Sequence, residues 1–437
     1  MQNKVTQARN QNELARSGAK LKLVLMASCL VFPGPNLRAD MVTDWNANAD
    51  VAIETAAQPA PVQGRTMAIV HTAIYDAVNG IEHKYAPYFV THRGPRGASA
   101  EAAAAQAGYA TLLALFPGQK TTLDAELAVS LAKIHASDRR IERGLDWGDY
   151  VAQQILAWRS HDGFTNPLPP YYGGGAPGVW RSPPSGTNAD GTLPALFPQN
   201  AVLVPFAMTS HDQFRPGPPP ALTSALYAAD LNEVKAIGRF DSTIRTPEQT
   251  QLALLWQAAG VVDENRAIRP LVLDRNSLAD NARLFALINI AAADATIAGF
   301  DSKYTYNLWR PYHAIRLADT DGNPDTEADP AWNSLFIAPR FQEYMSNHAV
   351  ITTAFMHTLA ALLGDKHTFT LSAPGYPSFS WTFSRFSDAA AQVKEARIWA
   401  GIHFRNSCNV GAEQGIRISR YLLENFLVPL DDDNEQE

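Results

Sequence analysis

KYTYNLWRP (residues 303–311), SNHA (346–349) and ARIWAGIHFRN (396–406) are the three blocks around which this chain is organised. Together they offer Lys303, Arg310, Arg397, Ser346, His348 and His403, a set suited to holding an oxyanion. Lys303 and Arg310 are seven residues apart, so one continuous helix would stack them about 10 Å apart along its axis. Lysine brings a point charge and arginine a flat fork, and both are long enough to meet one anion between them. Ser346 precedes Asn347, His348 and the apolar run AVITTAFMHTLAALLG, which predicts a helix capped by Ser346. The free N–H groups of such a helix start form an anion site, and His348 at its opening is placed to move protons. Arg397 and His403, six apart, would diverge by about 120° on a regular helix. Gly401 between them predicts a helix end that turns His403 back.

The order Lys, six residues, Arg-Pro, then Ser-x-His, then Arg, five residues, His resembles the shared signature of vanadium-dependent haloperoxidases and phosphatidic acid phosphatase type 2 enzymes. NLWRP, Phe341 five residues before Ser346, and RIWAGIHFR are closer to the haloperoxidase branch. RTMAIVHTAIYDAVNG (65–80), GVWR (178–181) and FRPGPPPALTS (214–224) also resemble bacterial members and extend the likeness over most of the chain.

That resemblance implies an all-α fold of two helical bundles packed as one domain, with the site in the C-terminal half. It implies vanadate as cofactor, with His403 as the ligand to vanadium(V) and with Lys303, Arg310, Arg397, Ser346 and the Asn347 N–H on its oxygens. His348, Lys303 and His403 would be catalytic: His348 as acid and base, Lys303 polarising the bound oxidant. Hydrogen peroxide and halide would be the substrates, and the oxidised halogen would pass to a small organic molecule. Two positions depart from the family pattern. Asn347 stands where the family has Gly, and Ser407 stands where it usually carries Asp four residues after the ligand His. The second change leaves the orientation of His403 to another partner, such as Asn406 or a backbone carbonyl. The same donor set suits a phosphatase, with His403 as nucleophile and His348 as acid, or a non-catalytic oxyanion-binding protein.

Outside the three blocks, the 437 residues, 46% of them hydrophobic, supply ample core. A net charge of −7 and the acidic end DDDNEQE argue against nucleic acid as a partner. Residues 1–39 place Lys4, Arg9, Arg16, Lys20 and Lys22 ahead of LVLMASCLVFPG, the layout of a signal peptide cut after Ala39, so an exported (periplasmic or secreted) protein is expected. A lipoprotein anchor at Cys29 is the minor alternative, and the apolar run is too short for a stable membrane span. With Cys29 removed, Cys408 stands alone and no internal disulfide forms.

Residues 40–430 read as one domain. It comprises a helical half (40–161), a Pro- and Gly-rich wrapping segment (162–220) expected to form a rim of the site, and a helical half with the site (221–430); an acidic tail (431–437) follows. His71, Tyr75 and Asp76 share a helix and are read as core packing. Asp294 is a candidate partner for Arg397, and His313 a candidate neighbour of the Arg310 site. Asp319, Asp321, Asn323 and Asp325 alternate as in a calcium loop, but Gly falls at the fourth place and no Glu at the twelfth, which favours an acidic turn over calcium. No strand alternation suggests a sheet, and homo-oligomerisation stays open.

Overall fold

In the computed structural model, which describes residues 40–185, 187–273 and 276–430, the first half forms five helices: α1 (Met41–Thr55), α2 (Ala60–Glu82), α3 (Ala100–Leu115), α4 (Lys120–Ala132) and α5 (Asp138–Arg159). The predicted signal peptide, Cys29 and the acidic tail lie outside the described residues. Local chemistry sets the helix starts. Asp40 caps α1 by accepting from the Thr43 N–H at 2.9 Å, and Ser99 caps α3 through the Ala102 N–H at 3.2 Å. PAPVQG (59–64) is largely the first turn of α2, with Pro61 where no donor is needed.

The second half contains α6 (Ala225–Ile237), α7 (Pro247–Ala258), α8 (Val261–Ile268), α9 (Leu278–Tyr306), α10 (Pro311–Arg316), α11 (Asn347–Leu363), α12 (Phe386–Trp399) and α13 (Arg405–Asn425). Thr246 and Gln249 close a capping box on α7, with Pro247 at its first position. The last helix begins at Arg405, earlier than its apolar pattern. Between α11 and α12 lies a small antiparallel ribbon, β1 (Phe369–Ser372) and β2 (Ser380–Phe383), with Phe369 opposite Phe383. Four-residue strands are too short for alternation to reveal, and the fold remains a helical-bundle fold.

The axis of the molecule is α9. It packs against α2 on one side and against α11 and α13 on the other, and it is long and apolar enough to cross a membrane, yet its most apolar stretch is buried in protein. Each fully buried Leu or Ile along it, such as Leu287 and Ile290, contributes about 1.5–3 kcal/mol. One hydrophobic core runs from Trp45 on α1 to Leu422 on α13, so the two halves share it. On α13, a Cβ at Gly415 would come within 2.5 Å of Val350 O. Its absence lets α13 lie directly on the first turns of α11, where the site is built.

Two carboxylates act as latches. Asp76 on α2 accepts the backbone N–H groups of Tyr88, Phe89 and Val90 at 2.8–2.9 Å. Asp294 on α9 accepts those of Phe206, Ala207 and Met208 at 2.6–2.9 Å. The expected Asp294–Arg397 pair is therefore absent, because three backbone donors already occupy that carboxylate. The 162–220 segment is a belt pinned along its length. Asp162 pairs with Arg65 at 2.7 Å and Arg159 at 2.8 Å, Trp180 N–H donates to Asn307 O at 2.9 Å, and Leu196 N–H to Arg340 O at 2.7 Å. Phe197 of the belt packs with Phe300 and Phe341, so it braces the loop that leads into Ser346. The acidic turn uses its own oxygens: Asp321 accepts from Asn323 N–H at 2.7 Å, and Asn323 Oδ1 from Asp325 N–H at 3.0 Å.

Candidate oxyanion site

The three blocks converge between α9, α11, α12 and the 341–346 loop. Lys303 is in the last turn of α9, but Arg310 is not on the same helix, as a seven-residue stack would require. Asn307 takes a left-handed conformation (φ 53°) and ends α9, and Arg310 is the N-cap of α10 ahead of Pro311. The two side chains still meet, each over the Phe341 ring at 5.3 and 5.1 Å. Lys303 Nζ donates to the carbonyls of Gln342 and Glu343 at 3.0 Å each, and to Met345 O. It therefore fastens the segment entering Ser346. Arg310 donates through Nε to Phe341 O at 2.9 Å and through Nη1 to Ile402 O at 2.8 Å. Arg397 donates through Nη1 to Trp256 O and through Nη2 to Gln257 Oε1, both at 3.0 Å. Arg310 Nη2 and Arg397 Nε are left, fully buried, with no acceptor.

Ser346 caps α11 as predicted, its Oγ accepting from Ala349 N–H at 3.4 Å. Asn347 and His348 form the opening of that helix. A Cβ at Gly299 would stand 2.6 Å from Asn347 Oδ1, so a glycine on α9 makes the room that Asn takes in place of the family Gly. Gly401 (φ 75°) ends α12, and the Ile402 N–H returns to Arg397 O at 3.3 Å, which brings His403 back to the cluster.

His403 is held from both sides. Its Nδ1 lies 2.9 Å from Glu343 Oε1, which also accepts the Phe404 N–H at 3.0 Å. Its Nε2 faces Arg310 Nη1 at 3.0 Å. Guanidinium can only donate, so Nε2 carries the lone pair and Nδ1 the proton. Glu343 thus supplies the orienting carboxylate that Ser407 does not. Asn406, the partner considered from sequence, makes no hydrogen bond to His403 among the described residues; its backbone N–H donates to Asp230 at 2.9 Å. The Ser407 hydroxyl is near enough to lower the Glu343 pKa, yet neither it nor Glu343 Oε2 completes a hydrogen bond.

Charge is concentrated here. Burial holds Arg310 down to about 10 and Arg397 down to about 9. Burial, then Arg310, pushes Lys303 well below the usual lysine range, while Glu343 opposes that shift. Burial lowers both His348 and His403, and the three cations add to it, so the imidazoles are neutral. Burial raises the Glu343 carboxyl, and Lys303 pulls it back first. Three basic side chains against one carboxyl in a dry site form a cluster short of negative charge. His348 is half-buried and makes no side-chain hydrogen bond among the described residues; with Asn347 and Phe341 it lines a small recess.

Comparison with known proteins agrees with this geometry. The family described as the VCPO second helical-bundle domain matches residues 283–429, which contain every block of the site. The vanadium chloroperoxidase of Curvularia inaequalis is 27% identical over 32% of this chain, an alignment spanning 28% of that protein's length. The crystal structure of a bacterial vanadium-dependent iodoperoxidase superposes with a TM-score of 0.74 at 23% identity, covering 90% of this chain and 97% of that one. Residues 283–429 thus match the VCPO second helical-bundle domain, and over 90% of its length the chain has the fold of the bacterial iodoperoxidase. An apo bacterial vanadium-dependent chloroperoxidase shares the haloperoxidase fold at TM-score 0.67 and 16% identity, covering 84% of this chain and 92% of that one.

The residues of this site fit vanadate. Two buried guanidinium N–H groups without acceptors, a capped helix start and an imidazole lone pair are what a tetrahedral oxyanion bound through one nitrogen requires. Glu343 was the functional residue missed from sequence. A carboxylate set among Phe341, Tyr344 and Met345, three residues before Ser346, was the available signal. His313 is engaged elsewhere, its Nε2 lying 2.6 Å from Asp190 of the belt. His71 is a core residue as expected, bonded to Asn46 at 2.8 Å and held down to about 3 by burial. Cys408 is buried beside the cluster, and burial pushes its thiol up to about 12.

Proposed function

We propose that this protein is a vanadate-dependent haloperoxidase that oxidises halide with hydrogen peroxide and passes the oxidised halogen to a small organic molecule. The observation that carries this reading is the buried cationic cluster in which two guanidinium N–H groups lack acceptors beside the His403 Nε2 lone pair. Bound vanadate supplies Lewis acidity that activates peroxide toward the halide.

The protein side of the reaction follows from the contacts. Glu343 fixes the His403 tautomer by taking Nδ1–H, which puts the lone pair on Nε2, where Arg310 Nη1 now donates and where vanadium would bind. Arg310 and Arg397, rigidly held through their other nitrogens, direct Nη2 and Nε at the oxygens of an anion. The start of α11 adds backbone donors. Lys303 holds the carbonyls of the 342–345 segment and places a positive charge under the site. His348, neutral and without a protein partner, takes the peroxide proton and returns it to the product.

The test is bromination of a phenol dye by purified mature protein, with peroxide and bromide, with and without orthovanadate. Vanadate-dependent bromination supports the reading. Hydrolysis of p-nitrophenyl phosphate that vanadate inhibits, without bromination, would replace it with the phosphatase reading. Retained vanadate with neither activity would make the protein an oxyanion binder. Export is part of the proposal and rests on the N-terminal pattern at 1–39; cell fractionation that leaves the protein in the cytoplasm would remove it.

A further inference from the structure

A second carboxyl stands beside His348 that the mechanism above does not use. Glu264 on α8 is fully buried; its Oε1 accepts from Thr352 Oγ1 at 2.6 Å, and its Oε2 has no partner. Thr352 lies one helical turn beyond His348 on α11, which places the carboxyl over the same helix face. Glu264, His348 and Asn347 line one recess of about 60 Å³, whose remaining wall is mostly apolar and includes Pro61, Phe341 and Ile351. That volume holds a few water-sized molecules and excludes an organic substrate.

Among the described residues no cation faces Glu264. On α8, Asp263 is tied to the Gly260 N–H at 2.9 Å and to Arg266 at 3.1 Å, and Arg266 and Arg269 pair with Glu54 and Asp50 of α1. From α11 come Thr352 and the neutral His348, from α2 the recess residues Ala60 and Pro61 with His71 bound to Asn46, and from β1 no titratable residue. A carboxylate in that setting has one hydroxyl donor and a like-charged neighbour, which makes the protonated acid the stable form at neutral pH.

We propose that Glu264 gates the recess for small inorganic anions: as a neutral acid it offers an O–H to a halide or vanadate moving toward His348, and as a carboxylate it repels it. This rests on the haloperoxidase reading and adds to it the route and pH range of halide access. Burial, opposed by Thr352 and reinforced by Asp263, pushes the carboxyl up to about 8. The gate is open below that pH and closes above it.

The measurement is halide KM and kcat against pH for wild type and Glu264→Gln, with the rate of orthovanadate association with the apo protein measured alongside. From the value of about 8, the wild-type halide KM rises about tenfold by pH 9 relative to Glu264→Gln, with kcat at saturating halide unchanged. The wild-type vanadate association rate falls by a like factor relative to Glu264→Gln. Thr352→Val removes the hydroxyl that favours the carboxylate and moves the break to higher pH. Identical pH profiles in wild type and Glu264→Gln overturn the gate. Should no halide oxidation be found while the vanadate rate ratio still falls at pH 9, the gate stands and the peroxidase reading fails. Should Glu264→Gln not fold, an unmoved break in Thr352→Val overturns the gate, and a raised one supports it.

Discussion

Replacing Glu343 separates two effects that act on vanadate in opposite directions. Removing its charge favours a nearby anion, with about 4 kcal/mol as the scale for unit charges about 4 Å apart at an effective dielectric of roughly 20. Removing its oxygen releases His403 Nδ1–H and Phe404 N–H, which it accepts at 2.9 and 3.0 Å. Glu343→Gln loses the charge and keeps a carbonyl oxygen; Glu343→Ala loses both. The charge effect is common to the pair, so their ratio isolates orientation. A ligand imidazole deprived of its partner loses about 10–100-fold in affinity, about 1.4–2.7 kcal/mol, and vanadate Kd should be that much weaker in Glu343→Ala than in Glu343→Gln. The apo Ala variant should also melt lower, because two buried donors without acceptors cost about 1–3 kcal/mol each. Titration of apo protein with vanadate by calorimetry or 51V NMR at one fixed pH reads the ratio. Adding Ser407→Asp to Glu343→Ala restores a carboxylate at the family position and should recover part of the loss. Equal Kd values for the Gln and Ala variants would refute the orienting role.

Three further outcomes are expected. His403→Ala abolishes vanadate binding, whereas His348→Ala keeps it and lowers turnover about 10²–10⁴-fold; loss of binding in both would remove the division of labour. Gly299→Ala places a methyl 2.6 Å from Asn347 Oδ1 and costs roughly 1–3 kcal/mol, and Gly299→Ala with Asn347→Gly recovers it in denaturant melts. Glu264 moves from an ordinary 4.5 when unfolded to about 8 when folded, so between those values the native state holds a proton that the unfolded chain has released. Stability therefore falls as pH rises from about 4.5 to about 8, and urea midpoints at pH 5 and pH 8 should differ less in Glu264→Gln than in wild type.

The chain is legible wherever one local signal decides a conformation. Ser346 before an apolar helix, Gly401 between Arg397 and His403, and Thr246-Pro247 at α7 each set the backbone that the structure shows. Arg310 shows a local signal outweighed by a spacing rule: Asn307 and Pro311 mark a break, and a seven-residue interval assumed continuity. Glu343 and Asp294 were out of reach for another reason. Their partners lie 60 and 86–88 residues away, so the choice between a solvated, an ion-paired and a backbone-bonded carboxylate is made by tertiary packing. The substitution at Ser407 pointed to a missing partner; only the fold says which side chain takes its place.

Cys408 offers a practical consequence. It lies in the first turn of α13, three residues after the turn that carries His403 is closed, and its thiol is buried and strongly protonated. In that state it is a poor nucleophile and resists oxidation. Exposure requires the α12–α13 turn to open, so the rate at which a thiol reagent modifies Cys408 is a clock for breathing of the active site. Vanadate that clamps His403 should slow that clock, turning an inert core residue into a reporter of cofactor loading that needs no turnover.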